Sequence, residues 1–110
     1  MDTIGKRLKY IRKHRGHTQE TLAEVSLVAR AVISNIEVDR YSTQMVSYAA
    51  IAKALNVNLD WLLKGTGPME PDNERTKILD ELYRACATLT ESQQKYLLET
   101  IRIMRQHLID

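Results

Sequence analysis

The stretch of sequence that decides the fold runs from Thr18 to Glu37 and reads TQETLAEVSLVARAVISNIE. Thr18 is a residue type that commonly begins a helix, because its hydroxyl accepts a hydrogen bond from a backbone N–H of the first turn. Leu22 and Ala23 follow at positions that face the core in a short helix, and apolar residues return at helical spacing over about residues 29–37. The pattern therefore predicts two short helices separated by a tight turn.

Further short helices are predicted on both sides of this stretch by apolar residues three and four positions apart. One helix precedes it and ends at Gly16, and two follow it, the second of which ends at Gly65. Glycine suits these positions because it readily takes the left-handed conformation that closes helices. The residues expected to form the shared core are Ile4, Leu8, Ile11, Leu22, Ala23, Val25, Val32, Ile33, Ile36, Val46, Ala50, Ile51, Leu55, Trp61, Leu62 and Leu63.

Residues 65–73 form the clearest break in the chain, because they contain both prolines and two of the four glycines. Such a composition predicts a linker. We place a domain at residues 1–66, the linker at 67–72 and a helical region at 73–110. The expected fold class is all-α, with a five-helix domain followed by a C-terminal two-helix hairpin.

The helical region carries an apolar stripe on each of its two predicted helices. Thr90 and Gln93 have the spacing of a capping box and mark the start of the second helix. About forty residues bury little surface alone, so either the N-terminal domain or a second copy of the chain should cover the stripes, and we expect the second copy. The expected dimerisation residues are Ile78, Leu82, Leu89, Leu97, Ile101, Met104 and Leu108.

Charge is distributed unevenly along the chain, although the net charge is only +2. Residues 1–66 carry ten Lys and Arg against six Asp and Glu, whereas residues 67–110 carry six against eight. Six of the basic residues lie within the first seventeen positions. A basic front of this kind suits a polyanionic partner such as nucleic acid, and a solvated basic helix is the alternative interpretation.

The remaining composition argues against several classes of protein. Cys86 is the sole cysteine, so no disulfide forms within the chain and a reduced, cytoplasmic compartment is expected. No segment approaches the roughly 20 apolar residues of a membrane span, so no membrane partner is expected. His14 and His17 lack the further ligands of a zinc site, and no glycine-rich phosphate loop occurs. We expect no enzymatic activity, cofactor, metal or small-molecule substrate.

Two short helices joined by a turn, packed behind a basic first helix, have the geometry that inserts the second helix into the major groove of DNA. The sequence resembles the phage-repressor (Cro/C1-type) helix-turn-helix family over about residues 1–66. The residues that carry the resemblance are Arg12, Thr18-Gln19-Glu20 with Leu22-Ala23, Ile33-Ser34-Asn35-Ile36-Glu37, Ile51-Ala52 with Leu55, and Trp61-Leu62-Leu63-Lys64-Gly65. The resemblance implies a transcriptional regulator, and specifically a prophage-type repressor that binds an inverted-repeat operator in double-stranded DNA as a homodimer.

The resemblance also implies roles for individual residues. The positions that match base-reading residues are Arg30, Ala31, Val32 and Asn35, and those that match phosphate contacts are Gln19, Arg40, Tyr41, Thr43 and Gln44. Arg30 is suited to guanine and Asn35 to adenine through paired hydrogen bonds. Arg12 and Glu37 match an ion pair that joins the first helix to the end of the reading helix, which is the second helix of the motif.

Two positions depart from the family's pattern. Leu27 stands where the family usually has glycine, and a left-handed conformation there costs a non-glycine residue about 1 kcal/mol. Ala29 stands where a Ser or Thr usually caps the reading helix, and alanine cannot cap. We therefore expect the turn to differ in detail or the reading helix to begin about a residue away. A decayed turn favours a second interpretation, a protein-interaction adaptor of the antitoxin or anti-repressor type whose C-terminal helices bind another protein.

Overall fold

The computed structural model describes residues 2–40 and 44–107, and the chain divides into two compact units, Met1–Asp72 and Asn73–Asp110. All regular structure in the described ranges is α-helical, as the sequence predicts. The helices of the first unit are α1 (Ile4–His14), α2 (Gln19–Ser26), α3 (Arg30–Glu37), α4 (Met45–Leu55) and α5 (Leu59–Lys64). Those of the second unit are α6 (Glu74–Ala87) and α7 (Glu91–His107).

Short polar side chains begin α2 and α7 at the positions that the sequence indicates. The Thr18 hydroxyl accepts a hydrogen bond from the Thr21 backbone N–H at 3.1 Å, and the Thr21 hydroxyl accepts one from the Thr18 N–H at 2.9 Å. Thr90 and Gln93 make the same reciprocal pair of bonds at the start of α7. These bonds satisfy N–H groups that a helix end otherwise leaves without a partner.

The turn between α2 and α3 is built without glycine. Leu27 takes the left-handed conformation, with a φ of 60°, and its N–H donates to the Ala23 carbonyl at 2.9 Å. Its side chain is 91% exposed and contributes nothing to the core. Ala29 makes no side-chain capping bond, and α3 begins at Arg30. The turn therefore has the backbone conformation that glycine would supply, with the strain left on an exposed leucine.

Two buried residues anchor this turn from the inside. The Ser26 hydroxyl donates to the Leu22 carbonyl at 2.6 Å and accepts a hydrogen bond from the Val28 N–H at 3.3 Å. Val28 itself packs into the core. These contacts hold the segment that follows Leu27 without help from a cap on α3.

The core of the first unit is formed mainly by the predicted residues. Its largest fully buried side chains are Leu8, Ile11, Leu22, Ile33, Ile36, Ile51, Leu55 and Leu62. Two core predictions are wrong, because Val25 is 56% exposed and Val46 is 72% exposed. The buried face of α2 runs through Ser26 and that of α4 runs through Tyr48, so both valines lie to one side of the core.

The segment predicted as a linker packs onto the first unit. The backbone N–H of Asn58, at the start of α5, donates to the Met69 carbonyl at 2.9 Å, and its side-chain amide donates to the Pro68 carbonyl at 2.8 Å. Glu70 pairs with Arg15 at 3.4 Å. Met69 packs partly buried against the core. Proline and glycine exclude helix from this segment, but these bonds order it as part of the first unit.

The second unit has no buried residue in the described parts of α6 and α7. Of the predicted dimerisation residues, Ile78, Leu82, Ile101 and Met104 are exposed and Leu89 and Leu97 are half-buried. Leu108 lies outside the described residues. The apolar stripes are therefore not covered by the second unit itself. None of the helices in the described ranges combines the length and the apolarity that a membrane span requires.

The strain at Leu27 predicts that Leu27→Gly stabilises the first unit. Glycine removes the left-handed penalty, and its greater freedom in the unfolded chain offsets part of the gain. We expect a net increase of about 0.5–1 kcal/mol in the free energy of unfolding, measured by urea denaturation. Leu27→Ala is the control, because it removes the same exposed side chain but keeps Cβ and hence the strain. Equal stability of the two variants would contradict the argument.

Candidate nucleic-acid interface

Helix α3 has one buried face and one exposed face. Ile33 and Ile36 are completely buried, and they fix the side of the helix that faces the core. Arg30, Ala31 and Asn35 are exposed. The predicted base-reading residues are thus brought together on one surface that begins at the N-terminal turn of α3. Val32, the fourth of them, is half-buried and packs partly against the core.

The C-terminal end of α3 is tied to α1 by the ion pair that the sequence predicts. Arg12 Nε lies 2.6 Å from Glu37 Oε2, and Arg12 Nη2 lies 3.0 Å from Glu37 Oε1. The two side chains are only 9% and 4% exposed. The third guanidinium nitrogen, Nη1, donates to the His17 carbonyl at 2.9 Å. All three nitrogens of the guanidinium are therefore bonded, and the planar fork fixes the orientation of Glu37.

Gln19, predicted to contact phosphate, joins this network from the start of α2. Its Nε2 donates to Glu37 Oε1 at 3.3 Å, and its side chain is partly buried. The same amide nitrogen carries a second N–H, which this bond does not use. Gln19 is the first residue of α2, where backbone N–H groups and the helix dipole favour an anion. The residue is thus held against the reading helix at the end of a helix that suits phosphate.

Three arginines of the basic cluster have internal partners, and those of Arg7 and Arg15 were not indicated by the sequence. Arg7 donates to the Leu62 and Leu63 carbonyls at 2.8 and 2.9 Å, at the C-terminal end of α5. Arg15 donates to the Leu55 carbonyl at 2.9 Å, at the end of α4. With Arg12 bonded to Glu37, half of the six basic residues in this segment hold helix ends together. Lys6, Lys9 and Lys13 remain exposed.

A close approach between α1 and the end of α3 depends on Gly5. A Cβ at this position would lie 2.5 Å from the Ile36 carbonyl oxygen, 2.6 Å from Asp39 Oδ1 and 2.9 Å from the Glu37 carbonyl oxygen. Two of these atoms belong to the backbone and cannot easily move. Glycine is therefore required here for packing and not for an unusual φ. The sequence offered no signal for this, since a glycine within a helix usually indicates only lower helix propensity.

The segment after α3 contains the remaining predicted phosphate contacts. Arg40 and Gln44 are exposed, whereas Tyr41 and Thr43 lie outside the described residues. Asp39 takes the left-handed conformation, with a φ of 64°, and its N–H donates to the Ile36 carbonyl at 3.0 Å. The Arg40 N–H donates to the Asn35 carbonyl at 2.7 Å. These bonds turn the chain sharply away from the end of the reading helix.

An exposed ion pair links the first turns of α2 and α3. Arg30 Nε lies 3.3 Å from Glu20 Oε1, and the two side chains are 61% and 57% exposed. The pKa of the Glu20 carboxyl lies below its ordinary value, first because it accepts a hydrogen bond from its own backbone N–H and second because Arg30 is close. Glu20 is therefore ionised at neutral pH.

In the described part of the chain, no three His, Cys, Asp or Glu side chains lie close enough to hold a metal ion.

Comparison with known proteins places this arrangement in a family. The helix-turn-helix family matches residues 8–62 of the chain. An immunity repressor protein of Bacillus phage phi105 is 40% identical over 57 residues, which are 52% of this chain and 40% of the phage protein. The chain thus spans less than half the length of that relative.

Two solved structures resemble the chain. The restriction-modification controller protein C.AhdI from Aeromonas hydrophila matches with a TM-score of 0.52 at 30% identity, covering 55% of this chain and 91% of the controller. A chain of the SinR–SinI protein complex matches with a TM-score of 0.53 at 23% identity, covering 94% of this chain and 99% of its own length. At that identity the second likeness shows the fold alone.

The buried ion pair predicts that Arg12→Met destabilises the first unit strongly. The variant leaves the Glu37 carboxylate buried with only the Gln19 amide to offset its charge, and stranding a charge in this way costs about 3–5 kcal/mol. Thermal unfolding followed by circular dichroism measures the loss. Lys13→Met is the matched control, because Lys13 is an exposed neighbour on the same helix and should change stability by less than about 0.5 kcal/mol. Similar melting temperatures for the two variants would show that the Arg12–Glu37 pair is not needed for the stability of the first unit.

Proposed function

The chain belongs to the helix-turn-helix family, of the phage-repressor (Cro/C1) type, and from this premise we propose that it is a sequence-specific DNA-binding transcriptional repressor. Residues 4–64 bind one half-site of an operator, with α3 in the major groove. A second copy, held through residues 73–110, binds the other half-site. We propose that the protein acts in the cytoplasm of a bacterial host, as a prophage-type repressor, without a cofactor or an enzymatic step.

The observation that carries this proposal is the rigid presentation of α3. Its exposed face carries Arg30 and Asn35, two side chains with hydrogen-bonding groups that suit base edges. The C-terminal end of α3 is held by the buried ion pair between Arg12 and Glu37. A major groove about 12 Å wide admits one helix with its side chains. A recognition surface that is fixed before binding avoids part of the ordering cost of association. Gln19, braced on Glu37 at 3.3 Å, suits the adjacent phosphate.

The test of the proposal begins with the full chain and a random pool of duplex DNA. Repeated selection and sequencing should yield a consensus that contains an inverted repeat, with half-site centres about 34–36 Å apart. Binding should weaken steeply as salt rises, because contacts with phosphates release counterions. A pool that retains no consensus after selection would contradict sequence-specific binding.

Base reading and phosphate contact predict different effects of two substitutions. Arg30→Ala should lose about 1–3 kcal/mol of affinity for the selected operator and relax the preference at one base pair. Gln19→Ala should weaken binding to all sequences by a similar factor, because phosphates carry no sequence information. Gel-shift titrations on the operator and on scrambled DNA separate the two patterns. The assignment of Arg30 fails if Arg30→Ala binds the operator as tightly as the wild type does.

The second unit supports the homodimer in this proposal. Ile78, Leu82, Ile101 and Met104 are exposed on helices that have no fully buried residue in their described parts. A group of exposed large apolar side chains is typical of an interface. A symmetric dimer uses the same patch on both chains. It also makes the second operator contact effectively intramolecular, which raises the affinity for an inverted repeat.

The dimer predicts that Leu82→Asp combined with Ile101→Asp yields a monomer. Sedimentation velocity at micromolar concentration should show the loss of the dimer, and operator affinity should fall by about 10²-fold or more as the second contact becomes independent. Lys95→Asp is the control, since it introduces the same charged residue at an exposed, polar position of α7. If the wild type itself sediments as a monomer, residues 73–110 have another role.

The exposed apolar residues of the second unit also favour a second candidate function. The exposed stripes of α6 and α7 would suit a different protein, and a chain that shares this fold was solved as part of the SinR–SinI protein complex. In that case the chain is an adaptor of the antitoxin or anti-repressor type in which DNA binding is secondary. A monomeric wild type that selects no DNA consensus would favour this function over the repressor.

A further inference from the structure

We propose that Glu20 is a positioning residue that sets the base preference of Arg30. This inference deepens the proposed function and rests on it, since it concerns how the reading helix distinguishes one base pair from another. Glu20 touches no base in this scheme. It acts through the guanidinium that does.

The geometry of the pair supports this role. Glu20 lies in the first turn of α2, and Arg30 is the first residue of α3. The Glu20 carboxylate lies 3.3 Å from Nε, on the inner edge of the guanidinium. Among the described residues, neither terminal nitrogen of Arg30 makes a hydrogen bond. The outer edge, which carries Nη1 and Nη2, is therefore available to a ligand.

The available edge has the chemistry of a guanine reader. Guanine presents two acceptors, O6 and N7, in the major groove, and two parallel N–H groups match them. An arginine side chain without contacts to other side chains samples many rotamers, and it loses that freedom when it binds a base. A carboxylate at Nε reduces the number of rotamers before DNA arrives. The ionised state of Glu20, favoured by its own backbone N–H and by Arg30, keeps this contact at neutral pH.

The same carboxylate has an opposing effect on affinity. Its negative charge lies beside a surface that approaches phosphates, so it weakens binding to every DNA sequence through ordinary repulsion. Positioning and repulsion therefore leave different signatures. Loss of repulsion changes all affinities by one factor, whereas loss of positioning changes the ratio between the preferred base pair and the others.

The experiment measures Glu20→Gln in the full-length protein. Affinities are determined for the selected operator and for three variants that replace the base pair read by Arg30. We expect the preference for guanine to fall by about threefold or more, a coupling common between contacting residues, while affinity for scrambled DNA stays constant or rises. Melting temperatures check that the variant is folded, which is expected because the side chain is exposed.

The matched control is Glu24→Gln, which removes the same charge from an exposed position of the same helix. It should alter all sequences alike and leave the base preference intact. In an Arg30→Ala background, Glu20→Gln should no longer affect the preference, because the group that it positions is gone. An unchanged base preference in Glu20→Gln overturns the inference while the repressor function stands. A wild type without any preference overturns both.

Discussion

The Arg12–Glu37 ion pair is the interaction on which the recognition surface depends. It connects the last turn of α1 to the last residue of α3, and Gln19 adds the first residue of α2 to the same carboxylate. A buried pair contributes little net stability over well-packed apolar residues of similar size, so its main consequence here is directional. The bidentate geometry restricts the rotation of α3 about its own axis. That rotation decides whether Arg30 and Asn35 face outward or lie against the domain.

Two other arginines, Arg7 and Arg15, hold the ends of two further helices. Arg7 binds the carbonyls that end α5, and Arg15 binds a carbonyl at the end of α4. A helix of six residues such as α5 is not stable by itself in water. A guanidinium satisfies the carbonyls that its last turn leaves without partners, and it interacts favourably with the negative end of the helix dipole. Arginines within and directly after α1 thus hold the ends of α3, α4 and α5, while α1 also supplies apolar residues to the core.

The two units differ in how they bury apolar surface. The first has a core shared by five short helices, whereas α6 and α7 bury nothing among their described residues. Its buried core explains the stability of the first unit, whereas the exposed apolar residues of α6 and α7 are the basis of the dimer that we propose.

The sequence by itself determined the all-helical fold, the helix starts at Thr18 and Thr90 and most of the core, because these follow from local hydrogen bonding and from apolar spacing. It also indicated the residues of the exposed face of α3, through the family resemblance. Tertiary structure decided the rest. It bonded Arg7 and Arg15 of the basic cluster to the carbonyls that end α5 and α4, left Val25 and Val46 exposed, and required Gly5 where α1 meets the end of α3. It also paired Glu20 with Arg30 across the turn. These features depend on which helix ends meet in space, and neighbouring residues along the chain carry no record of that packing.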